Sequence, residues 1–317
     1  MAASGSGASP AKDRTYEQLI DALQILFGKH PGFRPIHAKG MLCKGHFTPT
    51  AAASAFCRAP HFQASGAPVT VRFSNFTGIP AIADNDPNAN PRGLAVGFHL
   101  PERAFTDVVA HSYNGFPVAT AEEFLQFLQA LIASGSDTAK PNTLEAFFRD
   151  HPRARQFATA AKPMPESFAT ECYYAVDAFR FTNREGGSRY GRLRIVPVAG
   201  ARYIETSKAA SLSSNYLFDE LTKRIKRQPV EFYLVVQLAA EGDAVNNASQ
   251  PWPESRAQLD LGLLSITSLV ADSDAMQRTL CFDPANLVDG IEPSEDPLIQ
   301  ARSKIYALSF KRRNQTQ

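Results

Sequence analysis

Val69-Thr70-Val71-Arg72-Phe73-Ser74-Asn75 alternates without a break, with Val69, Val71, Phe73 and Asn75 on one side of an extended chain and Thr70, Arg72 and Ser74 on the other. Polar side chains along one strand face border either solvent or a polar cavity. Downstream, residues 79–92 are rich in Pro, Asn and Asp and read as a long loop. Leu94 to Leu100 and Asp107 to Ala110 read as further strands, ahead of a turn at Tyr113-Asn114-Gly115. Four more β-rich segments follow at 171–182, 189–198, 231–239 and 261–270, and Gly186-Gly187 supplies a hairpin turn between the first two.

Helical spacing separates these strands. Tyr16, Leu19, Ile20, Leu23 and Phe27 mark a helix over 15–28, ended by His30-Pro31-Gly32. Phe33 to Gly40 is irregular, and Phe47-Thr48-Pro49-Thr50 leads into a short alanine-rich helix. Thr120-Ala121-Glu122-Glu123 looks like a capping box before a helix with Phe124, Phe127, Leu128 and Leu131 on one stripe. Shorter helices are expected at 144–148, 153–160 and 216–226. The count gives an α+β protein on an antiparallel β-barrel of about eight strands, with inserted and flanking helices. We expect residues 1–14 to be disordered and 15–317 to form a single domain.

The chain has 317 residues, 44% hydrophobic and 20% charged, with a formal charge of +2. So small a charge excludes a dedicated nucleic-acid binder, which needs a strongly basic face. The 22 phenylalanines suit either a core or a pocket for a flat apolar ligand. Cys43, Cys57, Cys172 and Cys281 are dispersed, so neither a zinc site nor a disulfide framework follows. No signal-peptide core or membrane-length apolar run is present, and a cytoplasmic location is expected.

Near the C-terminus, Asp296-Pro297 is a good helix start, and nothing breaks a helix from there to Phe310. Arg302 and Tyr306 then share one face, a turn apart. A guanidinium against a phenol stabilises the phenolate, and tyrosine is among the few side chains that hold haem iron. The ordinary alternative is a surface pair. Phosphate-cradling glycine loops, nucleophile elbows and zinc helices are absent. Four separated polar clusters remain: Arg34 with His37, Arg72 with Ser74, His111 with Asn114, and Arg302 with Tyr306 and Arg313.

In this order the clusters resemble the haem catalases, in particular the short catalase-related peroxidases. Arg-Pro-Ile-His-Ala-Lys-Gly (34–40) is similar to the segment carrying the distal histidine, and Val-Arg-Phe-Ser (71–74) to the strand beside it. Asn-Pro-Arg-Gly-Leu-Ala-Val (90–96) resembles the strand that follows. Pro-Ala-Asn-Leu-Val-Asp-Gly-Ile-Glu-Pro-Ser (284–294), running into Arg302 and Tyr306, resembles the proximal segment. The resemblance implies a b-type haem with Tyr306 as the iron ligand and Arg302 keeping it ionised. It implies His37 as acid–base group, oriented by Ser74, and Arg34, Arg72 and Arg313 on the haem propionates. It places Phe124 against the ring; a plain core role is equally open. Where the family has an asparagine to position peroxide, this chain has His111, with Asn114 three residues later.

The implied activity is a haem peroxidase that reduces organic hydroperoxides, and could take hydrogen peroxide, with an external small-molecule donor and has weak catalase activity. Rearrangement of fatty-acid hydroperoxides, as in allene oxide synthases, is one alternative; a non-enzymatic haem carrier or sensor is another. No nucleic-acid partner and no membrane insertion are expected, and a homo-oligomer, most simply a dimer, is.

Overall fold

In the computed structural model the described residues are 10–315, except 64 and 137–140. Ten strands join one antiparallel sheet: β1 (Gly40–Pro49), β2 (Ala67–Ser74), β3 (Gly93–His99), β4 (Phe105–His111), β5 (Tyr173–Tyr174), β6 (Phe179–Thr182), β7 (Ser188–Pro197), β8 (Val230–Leu238), β9 (Gln258–Leu269) and β10 (Ile291–Pro293). Pairing runs β7-β5-β4-β3-β2-β1-β9-β8, and β8 returns to β7, which closes an eight-stranded barrel. β6 and β10 extend from the other end of β7. Closure removes exposed edges, which is the advantage of a barrel over an open sheet.

The alternation read at 69–75 decides the layering. Val69, Val71 and Phe73 enter the barrel core, where Phe73 meets Phe168, Tyr173 and Phe232. Thr70, Arg72 and Ser74 on the opposite face are also buried, so that face borders a covered cavity rather than solvent. β1 is a strand that alternation does not reveal. Its sequence, Gly-Met-Leu-Cys-Lys-Gly-His-Phe, breaks the pattern, and its pairing with β9 shifts register between Lys44 and Gly45, the irregularity that hides the period. The 171–182 segment is a pair of short strands, β5 and β6, rather than one long one.

Nine helices are described: α1 (Pro10–Phe27), α2 (Ala51–Phe56), α3 (Ala121–Ser134), α4 (Thr143–Asp150), α5 (Pro152–Thr159), α6 (Thr206–Ala209), α7 (Tyr216–Ile225), α8 (Ser273–Thr279) and α9 (Pro297–Gln315). α1 begins at Pro10, inside the span expected to be disordered; the rest of that span, 1–9, lies outside the described residues. Leu19 and Leu23 of α1, Leu125 and Leu128 of α3 and Ala301 of α9 form a second apolar cluster outside the barrel. This three-helix layer fixes α9 against the barrel. α9 starts as its sequence requires: Asp296 accepts the Leu298 N–H at 2.9 Å, with Pro297 at the first position. Among the described residues, no helix is long and apolar enough to cross a membrane.

Candidate functional site

The floor of the site is a patch of β2, β3 and β4. Register places Ser74 opposite Gly93 and Gly93 opposite His111; one pair away, Arg72 faces Ala95 and Ala95 faces Val109. Side chains in such cross-strand rows share a face. Small residues therefore occupy the middle of the patch, with polar Ser74 and Arg72 on the β2 flank and His111 beside Val109 on the β4 flank. Ala95, Val109 and His111 keep part of their surface open. A flat ring could lie against this floor.

His37 stands above it on the loop between α1 and β1. Its backbone takes a left-handed conformation, φ 56°, costly for a residue with a Cβ and here fixed by its N–H bond to Phe76 O at 2.7 Å. Its imidazole Nδ1 meets Ser74 Oγ at 3.1 Å. Gly93 makes this possible, because a Cβ there would come within 2.7 Å of His37 Nδ1 and 2.5 Å of Ser74 Oγ. Burial, then the Arg72 guanidinium, push the His37 pKa down to about 3, so the ring is neutral at pH 7. His111 is also pushed down to about 3, by burial and then by Arg302 and His37. Its Nδ1 accepts the Tyr113 N–H at 3.3 Å, while its buried Nε2 has no partner. An unpartnered buried nitrogen close to His37 is a ready contact for a polar ligand atom.

Three guanidiniums converge beside His37. Arg72 donates through Nε to Gln277 Oε1 at 2.7 Å and through Nη2 to His37 O at 2.8 Å. Arg34 donates to Gln277 O at 3.2 Å and to Leu280 O at 2.8 Å, and Arg313 to the same Leu280 O at 2.5 Å. Gln277, Leu280 and their carbonyls belong to α8 and its C-terminal end, where the helix dipole favours cations. Among the described residues no carboxylate pairs with any of the three. Burial, then mutual repulsion, holds Arg34 and Arg72 below the usual arginine range, Arg72 at about 9. Arg313 is lowered by burial, and its Nε is buried without a partner. So many unneutralised charges are costly unless an anion with several oxygens joins them.

On α9, Arg302 and Tyr306 meet as their spacing requires, Nε to phenol oxygen at 3.2 Å. Arg302 also donates to Asp177, a buried carboxylate that the sequence did not single out. Burial opposes the Arg302 charge, but Asp177 and the Tyr306 oxygen outweigh it and hold the guanidinium firmly ionised. The Arg302 charge is felt at both His37 and His111, which ties α9 to the strand patch. Asp177, Val109 and Pro284 line an apolar cleft along the part of β4 that β5 leaves unpaired.

The structure thus brings together His37, Ser74, His111, Arg34, Arg72 and Arg313, with Arg302 in electrostatic reach and Tyr306 bonded to Arg302. Phe124 lies half-buried in the three-helix cluster, its ring 5.2 Å from that of Phe116. Asn114 does not join: it lines a different cleft, and its amide donates to Glu254 at 3.0 Å, which pairs with Arg194. The turn at 113–115 carries Asn114 away from the row that holds His111. Besides Asp177, sequence reasoning missed Gln277, which bridges Arg34 and Arg72, and Gly40, where a Cβ would lie 2.3 Å from Arg72 Nη2. Only Gly40 left a trace, as the last residue of the 34–40 string.

The catalase family profile matches residues 17–316. The chain is 36% identical to a catalase-related peroxidase of Mycolicibacterium paratuberculosis, covering 94% of this chain and 95% of that one. It is 33% identical to a catalase-related peroxidase of Synechococcus elongatus, covering 94% and 88%. Catalase A from Saccharomyces cerevisiae shares the fold, with a TM-score of 0.79 at 20% identity over 93% of this chain, which spans 64% of that enzyme. With the family profile and both relatives matching along nearly the whole length, the chain belongs to the catalase family.

Proposed function

We infer from family membership that the protein is a peroxide-acting oxidoreductase with haem as its cofactor. We propose a haem-dependent peroxidase that reduces organic hydroperoxides with an external electron donor and has weak catalase activity. The residues present fit the cofactor. Arg34, Arg72 and Arg313 supply guanidinium forks for two propionates; Gly93, Ala95 and Val109 offer a floor of small side chains; Tyr306 supplies a phenolate for the iron. Bound there, haem supplies the redox chemistry that takes two electrons from a pair of donors and delivers them to the peroxide.

The chain's own contribution is proton handling and orientation. Neutral His37 accepts the proton from the inner oxygen of an incoming hydroperoxide and passes it to the leaving oxygen, so that water or an alcohol departs rather than an oxyanion. Ser74 fixes the imidazole. His111 Nε2 provides a second polar contact where long catalases present an asparagine amide. Arg302 donates to the Tyr306 oxygen and orients it, and Asp177 holds Arg302 in place.

The observation that carries this reading is the convergence of three guanidiniums, without a carboxylate partner, beside the His37–Ser74 pair. The test is dye oxidation by cumene hydroperoxide with haem-loaded wild type and His37→Ala at equal haem content. We expect the variant to lose about 10²–10⁴-fold in kcat/KM, the usual worth of a positioned acid–base group. Full turnover in the variant would leave a haem carrier or sensor as the better reading. A lipid hydroperoxide rearranged without donor would favour the allene-oxide-synthase alternative.

A further inference from the structure

One buried carboxylate has no part in the site above. Glu171 is 3% exposed, two residues before β5, and its Oε1 accepts the Tyr203 phenol hydrogen at 3.0 Å as well as the Cys172 N–H at 2.9 Å. Tyr203 itself is 42% exposed. Its segment is fixed beside Glu171, since Arg202 N–H donates to Thr170 O at 3.0 Å and Tyr203 bridges to Pro165. A surface phenol bonded inward to a buried acceptor is unusual, because water could satisfy the hydroxyl at no cost.

The same place leads to the candidate site. Tyr174, three residues after Glu171, is in electrostatic reach of Tyr203 and is the cross-strand partner of His111. Cross-strand partners have Cα atoms about 4.5–5.5 Å apart. Tyr174 also packs on the Val176, Ala248 and Leu298 cluster that Phe116 covers, and the Phe116 ring neighbours that of Phe124. Tyr203 and Tyr174 therefore form a line of oxidisable rings from solvent to the strand patch.

We propose that Tyr203 is the entry point for electrons from external one-electron donors, phenols or aromatic amines, with Glu171 as proton acceptor and Tyr174 as the next station toward His111. The inference rests on the peroxidase reading above, which supplies the oxidant. Tyr203 gives up an electron inward while its phenolic proton crosses to the Glu171 carboxylate, leaving a neutral tyrosyl radical. The donor at the surface then returns an electron, Glu171 returns the proton, and the oxidised donor loses its own proton to water. Two such events supply two electrons to one hydroperoxide; with two protons from water its O–O bond breaks and alcohol and water leave. Donors too large to enter the cleft are thereby oxidised at the surface.

Glu171 accepts a proton only when ionised. Burial pushes its pKa up to about 7, against the opposing bonds from Tyr203 and the Cys172 N–H and the charge of Arg92. The other titratable groups facing it are the Cys172 thiol and the Tyr173, Tyr174 and Tyr216 phenols. Oxidation of a bulky donor should therefore rise with pH through about 7.

The experiment compares haem-loaded wild type, Tyr203→Phe, Glu171→Gln and Tyr233→Phe, the last an equally exposed control at 41%. The readouts are oxidation of a bulky dye against pH and the radical EPR signal frozen out after cumene hydroperoxide without donor. Tyr203 touches none of the haem-binding residues, so haem loading and stoichiometric hydroperoxide cleavage should match wild type. We expect Tyr203→Phe to lose about tenfold in kcat/KM for the dye, a loss of about 1.4 kcal/mol in transition-state stabilisation, together with the tyrosyl signal. Glu171→Gln should abolish the rise near pH 7, and Tyr233→Phe should behave as wild type. Normal hydroperoxide cleavage with unchanged dye oxidation and EPR signal in Tyr203→Phe overturns this inference alone. Failure of wild type to cleave hydroperoxide overturns the peroxidase reading beneath it.

Discussion

His37 illustrates how much strain one residue carries for a position. A β-carbon at φ 56° costs of order 1–3 kcal/mol, and three contacts hold it: Phe76 O on its N–H, Arg72 on its carbonyl, and Ser74 on its ring. Removing the ring leaves the backbone and the guanidinium cluster in place, so His37→Ala should bind haem as wild type does while turnover falls. On α9, Tyr306→Phe removes the phenol oxygen that Arg302 donates to at 3.2 Å. The expected result is weakened haem retention and a shifted Soret band at unchanged secondary structure, read by absorption and circular dichroism. The Arg302–Tyr306 pair was legible in the sequence because helical spacing alone brings the two residues together. Asp177 was not, because its approach to Arg302 depends on how the chain folds over 125 residues of separation.

At the scale of elements, close approach explains why two positions at the site are glycine. Gly93 lies between Ser74 and His111, and a methyl group there would collide with the His37 imidazole at 2.7 Å. Gly40 likewise leaves room for the Arg72 guanidinium, which a Cβ there would meet at 2.3 Å. Gly93→Ala should therefore displace His37 and lower kcat/KM by roughly tenfold or more, with haem binding largely kept. Rates on the haem-loaded variant check this; wild-type rates would show that the imidazole is free to move. The barrel was countable from the alternation of β2 and β3 and from the turn at 186–187. β1 escaped because its register shift erases the period of two, and the split of 171–182 escaped because its pairing partners change along the segment. His111 and Asn114 could not be separated by sequence, since a turn of unknown geometry lies between them; strand register separates them.

For the whole molecule, proton linkage gives a stability profile. His37, His61 and His111 are all held near 3 by burial, so each binds a proton more readily in the unfolded chain. They contribute stability above about pH 6.5 that falls away as pH drops toward 3, by up to about 1.4 kcal/mol per pH unit for each. Asp107 and Asp296, raised by burial to about 6, and Glu171, raised to about 7, act in the opposite sense, losing their contribution as pH rises from about 4. The two sets offset each other between about pH 4.5 and 6, so urea-unfolding stability should be nearly flat there and fall steeply below 4, where the histidines titrate against the fold together with Asp243, Glu254 and Asp289, carboxyls held low by their arginine partners. A continuous decline from pH 6.5 would show that the carboxyls are not raised.

Three uncompensated guanidiniums also make the cofactor part of the fold's energetics. Haem that binds only the folded protein should stabilise it by about 2.7 kcal/mol at a hundredfold excess over Kd, an increase in Tm that follows haem concentration. The central claim is that this catalase-family chain holds haem between the His37 patch and Tyr306. It is tested most directly by titrating the purified protein with haem and recording its absorption spectrum. The account predicts saturation at one haem per chain with a sharp protein-bound Soret band, weakened in Tyr306→Phe. A spectrum that stays that of free haem throughout the titration would contradict it.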